Sequence, residues 1–157
     1  MSNQRPIVVV TGSSGLLGYP LCLRLAENGY QVVGFDRVGL PEPPKSHPHV
    51  RDVECDISDS ASVRAAMRKV HELSSGKLAS VVHMAAYYDF SGEDSNLYEK
   101  VTIHGTDRLL NELEDFDCEQ FVFTSTMLVH APCEVGQHIR EEDPLEATWA
   151  YPQSKID

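Results

Sequence analysis

Long apolar runs and clusters of cations are missing from this 157-residue chain. No apolar run approaches the roughly 20 residues that a helix needs to span a bilayer, which argues against a membrane protein. The formal net charge is −11 and no Lys/Arg run is longer than the pair Arg68-Lys69, so nucleic acid and anionic lipid are poor partners. The composition favours a globular domain, and the charge says little about a small-molecule substrate, because a few local cations can override the net field.

Cysteines are also few. Cys22, Cys55, Cys118 and Cys133 are scattered, and no C-x-x-C pair occurs among them. This spacing argues against a zinc site and against a disulfide framework, so we expect no metal. The N-terminal residues contain one Arg and a short apolar run without a small-residue cleavage site, which makes a poor signal peptide. We therefore expect free thiols and a cytoplasmic location.

Short apolar runs instead alternate with longer amphipathic segments. The runs predict strands at Ile7–Thr11, Gln31–Asp36, Val50–Cys55, Leu78–Met84 and Gln120–Ser125. The amphipathic segments predict helices at residues 15–28, 60–73 and 96–113, and residues 37–49, rich in Pro and Gly, are expected to form a loop. Buried, non-alternating strands separated by helices predict an α/β fold, a doubly wound parallel sheet of the Rossmann type.

A glycine-rich turn connects the first strand to the first helix, with the sequence Thr11-Gly12-Ser13-Ser14-Gly15-Leu16-Leu17-Gly18. Gly12 permits the tight turn, Gly15 removes a Cβ from the path of a pyrophosphate, and Gly18 lets the helix pack closely on the strand. The helix N-terminus offers unpaired N–H groups and a positive dipole end to an anion. The turn predicts a dinucleotide site whose diphosphate lies at residues 12–18.

An acidic residue, Asp36, ends the second predicted strand, 18 residues after Gly18. A carboxylate at this position can accept hydrogen bonds from the adenosine ribose and would repel a 2′-phosphate. The adjacent Arg37 offers a guanidinium that could accept that phosphate. We therefore favour NAD as the cofactor and keep NADP as the alternative.

Further motifs follow in an order that resembles the extended branch of the short-chain dehydrogenase/reductase superfamily, of the epimerase/dehydratase-like kind. The matching segments are T-G-x-x-G-x-x-G at 11–18, Asp56-Ile57, H-x-A-A at 83–86, Val101–Thr106, Phe121–Thr126 and Y-x-x-x-K at 151–155. The segment Tyr87-Tyr88-Asp89-Phe90 also resembles 3β-hydroxysteroid-dehydrogenase-like chains. One departure is Thr102, where the family has an Asn tied to a proton relay, which puts that relay in doubt.

The resemblance implies a set of site residues. Besides residues 12–18, Asp36 and Arg37, the cofactor contacts it implies are Asp56, Ile57, Met84, Ala85, Ala86, Thr124, Ser125, Tyr151 and Lys155. It implies hydride transfer at a carbinol carbon, with Tyr151 as acid/base and either Thr126 or Ser125 orienting the substrate oxygen. Tyr151 and Lys155, four residues apart, share one helix face, and an ammonium near a phenol favours the phenolate.

The resemblance leaves several functions open. The expected enzyme is a nucleotide-sugar epimerase or dehydratase; the alternatives are a 3β-hydroxysteroid-dehydrogenase-like or other alcohol dehydrogenase/reductase, and a non-catalytic NAD(P)-binding sensor. Family members continue with further strands and a substrate domain, so we expect residues 1–157 to be an NAD(P)-binding domain truncated after the fifth strand, with a homodimer possible. Tyr87, Tyr88 and Phe90 either line the substrate site or pack the loop, and His83 is expected to be a packed residue.

Overall fold

The computed structural model describes residues 5–37, 47–89, 91, 93 and 95–157, so most of the expected loop at 37–49, and Phe90, lie outside the described residues. The strands are β1 (Ile7–Thr11), β2 (Gln31–Asp36), β3 (Val50–Glu54), β4 (Lys77–Leu78), β5 (Ser80–His83), β6 (Asp117–Cys118) and β7 (Phe121–Phe123). The helices are α1 (Gly18–Glu27), α2 (Ser60–Ser74), α3 (His104–Leu113) and α4 (Ala150–Ile156), with a π-helix at Tyr98–Ile103 and a 3-10 helix at Met127–Val129.

Five strands form the main sheet in the order β3-β2-β1-β5-β7, and every pairing between them is parallel. Counted within this sheet, the order is 3-2-1-4-5, the arrangement of a doubly wound Rossmann sheet, which confirms the predicted fold class. β4 and β6 pair in a separate parallel ribbon. The strand order reverses between β1 and β5, so the carboxyl ends of these two strands are where a ligand is expected to bind.

Both faces of the sheet are covered. On one face Val9 and Phe35 pack in a buried cluster with Met67 of α2 and Leu109 of α3. On the other face a second buried cluster consists of Val8, Val10, Cys22, Ala26 and Val32, with α1 as its helix. Because β1 is buried on both faces, its first four residues are all apolar rather than alternating with polar ones.

The helix α2 shows how local sequence sets an element. Its N-cap Asp59 accepts a hydrogen bond from the Ala61 amide at 3.1 Å, and Val63, Met67 and Val70 form its buried stripe. It ends at Ser75, whose φ of 52° takes the chain into the left-handed region. No helix within the described ranges has both the length and the apolarity that a bilayer span requires.

Several predicted boundaries are wrong. The first helix begins at Gly18 rather than at residue 15, so Leu16 and Leu17 lie in the turn, where they are 92% and 65% exposed. The strand predicted at Leu78–Met84 is divided at Ala79, because Leu78 pairs with β6 whereas Ser80 pairs with β1. The helix predicted at 96–113 contains a π-helical segment before α3. The strands predicted at 50–55 and 120–125 are shorter, at 50–54 and 121–123.

Candidate functional site

A cleft of about 390 Å³ opens where the carboxyl ends of β1, β2 and β5 meet. Nine of the predicted cofactor residues line it: Gly12, Gly15, Asp36, Arg37, Asp56, Ile57, Met84, Ala85 and Ala86. Tyr87, which was expected either to line a ligand site or to pack the loop, also lines the cleft. Sequence reasoning missed five further lining residues: Thr11, Phe35, Cys55, Leu97 and Val101. The predicted dinucleotide residues therefore converge from four separate segments of the chain on one concave surface.

The glycines of the turn occupy positions where a side chain has no room. Gly12 has a φ of +70°, and a Cβ on it would lie 3.1 Å from the Ala85 amide nitrogen. A Cβ on Gly18 would lie 2.9 Å from the Gly12 carbonyl carbon and would overlap the carbonyl oxygen. The start of α1 thus rests directly on the backbone of the turn, as the Gly18 prediction requires.

The first four amides of the turn have acceptors within the protein. The Gly12 and Ser13 amides donate to the Phe35 carbonyl at 2.8 and 3.2 Å, and the Gly15 amide donates to the Gly12 carbonyl at 3.1 Å. The Ser14 amide donates to a carboxylate oxygen of Asp36 at 2.9 Å. The N–H groups that were expected over residues 12–18 to bind a diphosphate are thereby reduced to those at the start of α1. The first N–H groups of a helix lack helical partners.

Ser13 does not present its side chain to the cleft. The side chain is fully buried against Gly34, where an added Cβ would lie 2.7 Å from the Ser13 hydroxyl oxygen. Ser13 therefore contributes to the packing of the turn on β2. The side chains of Leu16 and Leu17, which were expected in the cofactor set, are exposed and do not line the cleft, so only their backbone amides remain available to a cofactor.

Asp36 is fixed at the mouth of the cleft by two backbone donors. One carboxylate oxygen accepts from the Ser14 amide at 2.9 Å, and the other accepts from the Arg37 amide at 2.8 Å. Charge-assisted hydrogen bonds of this kind hold a carboxylate in one orientation. The acid predicted to recognise a ribose is thus tied to the turn predicted to recognise a diphosphate.

Asp56 lies on the neighbouring wall of the cleft. One of its carboxylate oxygens accepts from the Ser58 amide at 2.9 Å and from the Ser58 hydroxyl at 2.7 Å. Partial burial raises the pKa of Asp56, but the Ser58 bonds and the charges of Arg37 and Lys100 outweigh it, and the pKa is lowered overall. Asp56 therefore remains a carboxylate at neutral pH.

Sequence reasoning assigned no role to Thr11. Its hydroxyl accepts hydrogen bonds from the Met84 and Ala85 amides, each at 3.0 Å, and lies 2.7 Å from Nδ1 of His83. Because the oxygen already accepts two N–H groups, its own proton points to Nδ1, which places the imidazole proton on Nε2. The contact joins residues 72 positions apart, so no local spacing in the sequence could have shown it.

His83 continues this buried network toward α3. Its Nε2 lies 3.0 Å from the Thr106 hydroxyl, which donates in turn to the Thr102 carbonyl. Burial, assisted by the charge of Lys155, lowers the pKa of His83 to about 4. The residue is therefore neutral and packed at physiological pH, as expected, and the network sets the position of the backbone at 84–85.

Tyr151 and Lys155 both lie on α4, but their arrangement differs from the predicted pairing. The Lys155 amine lies 4.6 Å above the centroid of the Phe123 ring, and burial lowers its pKa to about 8. Burial, followed by the neighbouring phenols Tyr88 and Tyr98, raises the pKa of Tyr151. The Lys155 cation thus lies over Phe123, and burial is the main reason that the pKa of Tyr151 is raised.

The Ser/Thr-rich segment after β7 supplies hydroxyls near this helix. Thr124 donates to the His83 carbonyl at 2.6 Å, which ties it to β5, whereas Ser125 is exposed. Thr126 is the N-cap of the 3-10 helix and accepts from the Leu128 amide at 3.3 Å. The 3-10 helix packs against α4, so both predicted orienting hydroxyls lie next to the element that carries Tyr151.

Comparison with known proteins agrees with this architecture. The model of the "NAD dependent epimerase/dehydratase family" matches residues 8–157. A 3-beta-hydroxysteroid dehydrogenase of Mycolicibacterium neoaurum is 30% identical over 125 residues, which are 76% of this chain and 31% of that protein. UDP-glucose 4-epimerase 2 of Arabidopsis thaliana is 30% identical over 159 residues, 95% of this chain and 44% of that protein.

A solved Bordetella bronchiseptica enzyme in complex with NAD+ superimposes with a TM-score of 0.77 at 27% identity, covering 97% of this chain and 50% of that one. The chain thus spans between 31% and 50% of the length of these proteins. Since the family match extends over nearly the whole sequence, the chain belongs to the NAD-dependent epimerase/dehydratase family, within the extended short-chain dehydrogenases/reductases.

Proposed function

We propose that this chain is the cofactor-binding part of an NAD-dependent oxidoreductase that acts at a carbinol carbon, of the nucleotide-sugar epimerase/dehydratase type. The observation that carries the proposal is the shared cleft of Gly12, Gly15, Asp36 and the backbone of 84–86. Tyr87 lies on the rim of this cleft, and the ring of the next residue, Tyr88, contacts Tyr151. The dinucleotide cleft and the acid/base tyrosine are therefore contiguous.

The residues present fit a dinucleotide. A Cβ on Gly12 or Gly15 would press on backbone atoms 3.1 to 3.2 Å away, so only glycine leaves this part of the cleft open. Asp36, Asp56 and Ile57 would hold the adenosine half, and the amides of Leu16 and Leu17 would hold the diphosphate. When bound, a nicotinamide dinucleotide supplies the hydride chemistry.

The protein supplies proton transfer and orientation. Because its pKa is raised, Tyr151 carries its proton on the phenol oxygen, from which it can be donated to a substrate oxygen. Either Thr126 or Ser125 would hold that oxygen with a hydroxyl donor. Lys155 lies one helical turn further along α4 and would interact with the nicotinamide ribose, as the family resemblance implies.

Cofactor choice gives the first test. Isothermal titration of the full-length protein should show NAD bound at least about tenfold more tightly than NADP, because the fixed Asp36 carboxylate repels a 2′-phosphate. Asp36→Asn should narrow that ratio, whereas Arg37→Ala, the matched control, should leave NAD affinity nearly unchanged. Equal affinity of the unaltered protein for both nucleotides would contradict the role given to Asp36.

Catalysis gives the second test. Tyr151→Phe removes only the phenol oxygen, so turnover should fall about 10²- to 10⁴-fold while the dissociation constant for NAD stays the same. Steady-state kinetics and nucleotide titration on the same preparations provide both values. Turnover that survives the substitution would show that another group is the acid/base.

A second candidate is a dehydrogenase or reductase for an apolar alcohol, such as a 3β-hydroxysteroid. The aromatic surface of Tyr88, 43% exposed, and of Trp149 beside Tyr151 favours it, because such rings bind apolar ligand faces. Substrate-dependent release of NADH would identify this enzyme. Tightly retained NAD with no net NADH would identify an epimerase or dehydratase, which regenerates its cofactor.

A further inference from the structure

Three aromatic rings in the described part of the chain contact one another, and they are here called the aromatic triad: Tyr88, Trp149 and Tyr151. The Tyr88 and Tyr151 rings meet edge to face, with centroids 4.6 Å apart and planes at 80°. Trp149 lies 5.6 Å from Tyr151 and 6.1 Å from Tyr88. Edge-to-face pairs at such separations are favourable by about 0.5–1.5 kcal/mol beyond the area they bury.

The segment that carries Tyr88 is anchored independently of α4. The Tyr87 amide donates to the buried Thr102 hydroxyl at 3.1 Å, and the Tyr87 ring packs edge to face on Tyr98 with centroids 4.9 Å apart. The Tyr87 hydroxyl donates to Asp89 at 3.4 Å. Tyr88 is therefore presented to α4 from a backbone that is fixed by its neighbours.

Tyr151 lies in the first turn of α4, and the N-cap Trp149 has no side-chain capping bond within the described residues. The Lys155 amine, on the same helix, lies over the Phe123 ring. The Tyr151 ring contacts Tyr88, Trp149 and Tyr98. Ring contacts are therefore the interactions that can orient the phenol.

We propose that Tyr88 is a positioning residue for Tyr151, and that its ring, braced by Trp149, holds the phenol oriented for proton transfer. This inference rests on the proposed function. Because the two rings meet edge to face, we expect the ring contact, more than the Tyr88 hydroxyl, to orient the phenol. Misplacing a catalytic group by about 1 Å can cost about 10²-fold in rate.

The position of Tyr88 should also affect the pH dependence of turnover, through the pKa of Tyr151. The titratable groups around Tyr151 are the phenols of Tyr88 and Tyr98, with Lys155 on its own helix and Asp89 beyond Tyr87. Burial and the two phenols raise the pKa of Tyr151. Removing the Tyr88 ring would admit water and remove one phenol, so both changes lower the pKa of Tyr151 toward its ordinary value.

The test compares Tyr88→Phe, Tyr88→Leu and Tyr88→Ala in the full-length protein, with Tyr30→Ala as the matched control. Tyr30 packs on the opposite face of the sheet, in the cluster around Val8 and Val32. Tyr88→Ala should lower kcat about 10- to 100-fold, leave NAD affinity unchanged and shift the pH profile of kcat to lower pH. Tyr88→Phe and Tyr30→Ala should stay within about threefold of the unaltered protein.

Two results would overturn the proposal: an unchanged kcat and pH profile in Tyr88→Ala, or a loss in Tyr88→Phe as large as that in Tyr88→Ala. Tyr88→Leu keeps the bulk of the side chain but not the ring, so it tests the same prediction if the alanine variant fails to fold. An inactive Tyr151→Phe together with a fully active Tyr88→Ala would reject only this inference. An active Tyr151→Phe would reject the proposed function itself.

Discussion

The two ends of the site are held in place by different means. At the cleft end, backbone contacts position every element, as the Gly18–Gly12 contact, the turn amides and the Thr11 hydroxyl show. At the proposed catalytic end, Tyr151 of α4 packs against rings that belong to other segments, those of Tyr88 and Tyr98. The cofactor end should therefore tolerate almost no change in the backbone, whereas the catalytic end should be adjustable through side chains.

The largest expected effect comes from Gly18→Ala at the cleft end. The new methyl would overlap the Gly12 carbonyl, so either the turn or α1 must move. We expect a loss of more than about 4 kcal/mol in the free energy of unfolding, together with loss of NAD binding. Gly136→Ala is the control: its φ of +94° is strained for alanine, but an added Cβ meets no atom within 4 Å. Similar losses of stability in both variants would show that the overlap with the Gly12 carbonyl is not the cause of the loss at Gly18.

Thr11→Val tests the same end through hydrogen bonding. Valine keeps the shape but leaves the Met84 and Ala85 amides, and Nδ1 of His83, without their partner. Unsatisfied buried groups cost about 1–3 kcal/mol each, so we expect a loss of about 4 kcal/mol in urea unfolding. Thr11→Ser, which restores the hydroxyl, should recover most of that loss, and failure to recover would point to packing instead.

The pH dependence of stability tests the His83 network between the two ends. The folded-state pKa of about 4 lies below the ordinary value of 6.5, so the unfolded chain binds the proton more readily. Stability should therefore fall by roughly 3 kcal/mol as pH drops from about 6.5 to about 4, in addition to any common background. Denaturant unfolding of the protein and of His83→Gln would check this, because the variant should show a flatter profile in that window.

Thr102→Val gives the smallest effect and probes the catalytic end. The substitution removes the acceptor for the Tyr87 amide, which should cost about 1–2 kcal/mol and loosen the segment that carries Tyr88. We expect kcat to fall by about threefold to tenfold with unchanged NAD affinity, whereas Thr102→Ser should behave normally. A loss confined to NAD binding would mean that the two ends are not separable.

Most of the cleft end could be predicted from the sequence. The glycines of the turn, Asp36 and the alternation of strands and helices follow from local backbone geometry, which a short motif can encode. The boundary error at Leu16 and Leu17 arose because their spacing fits a helix, although the turn continues to Gly18 before α1 begins. Even at this end, the hydrogen bond between Thr11 and His83 could not be predicted, since it connects distant segments.

At the proposed catalytic end, the sequence predicted which residues are present but not how their side chains are arranged. The Y-x-x-x-K spacing placed Tyr151 and Lys155 on one helix, as observed, but it could not show that Phe123 takes the amine. Met127 and Leu128 are apolar, yet they are 65% and 47% exposed. Side-chain direction at this end depends on contacts between segments, which a single sequence does not specify.

The π-helix at Tyr98–Ile103 gives one helical segment two separate packing surfaces. A π turn holds one more residue than an α turn, and one residue corresponds to roughly 100° of rotation. Tyr98 and Thr102 consequently reach the loop after β5, while Leu109 and Leu113 remain in the core. We expect the loss of a single residue within this stretch to rotate Tyr98 and Thr102 away from that loop while Leu109 and Leu113 keep their places in the core.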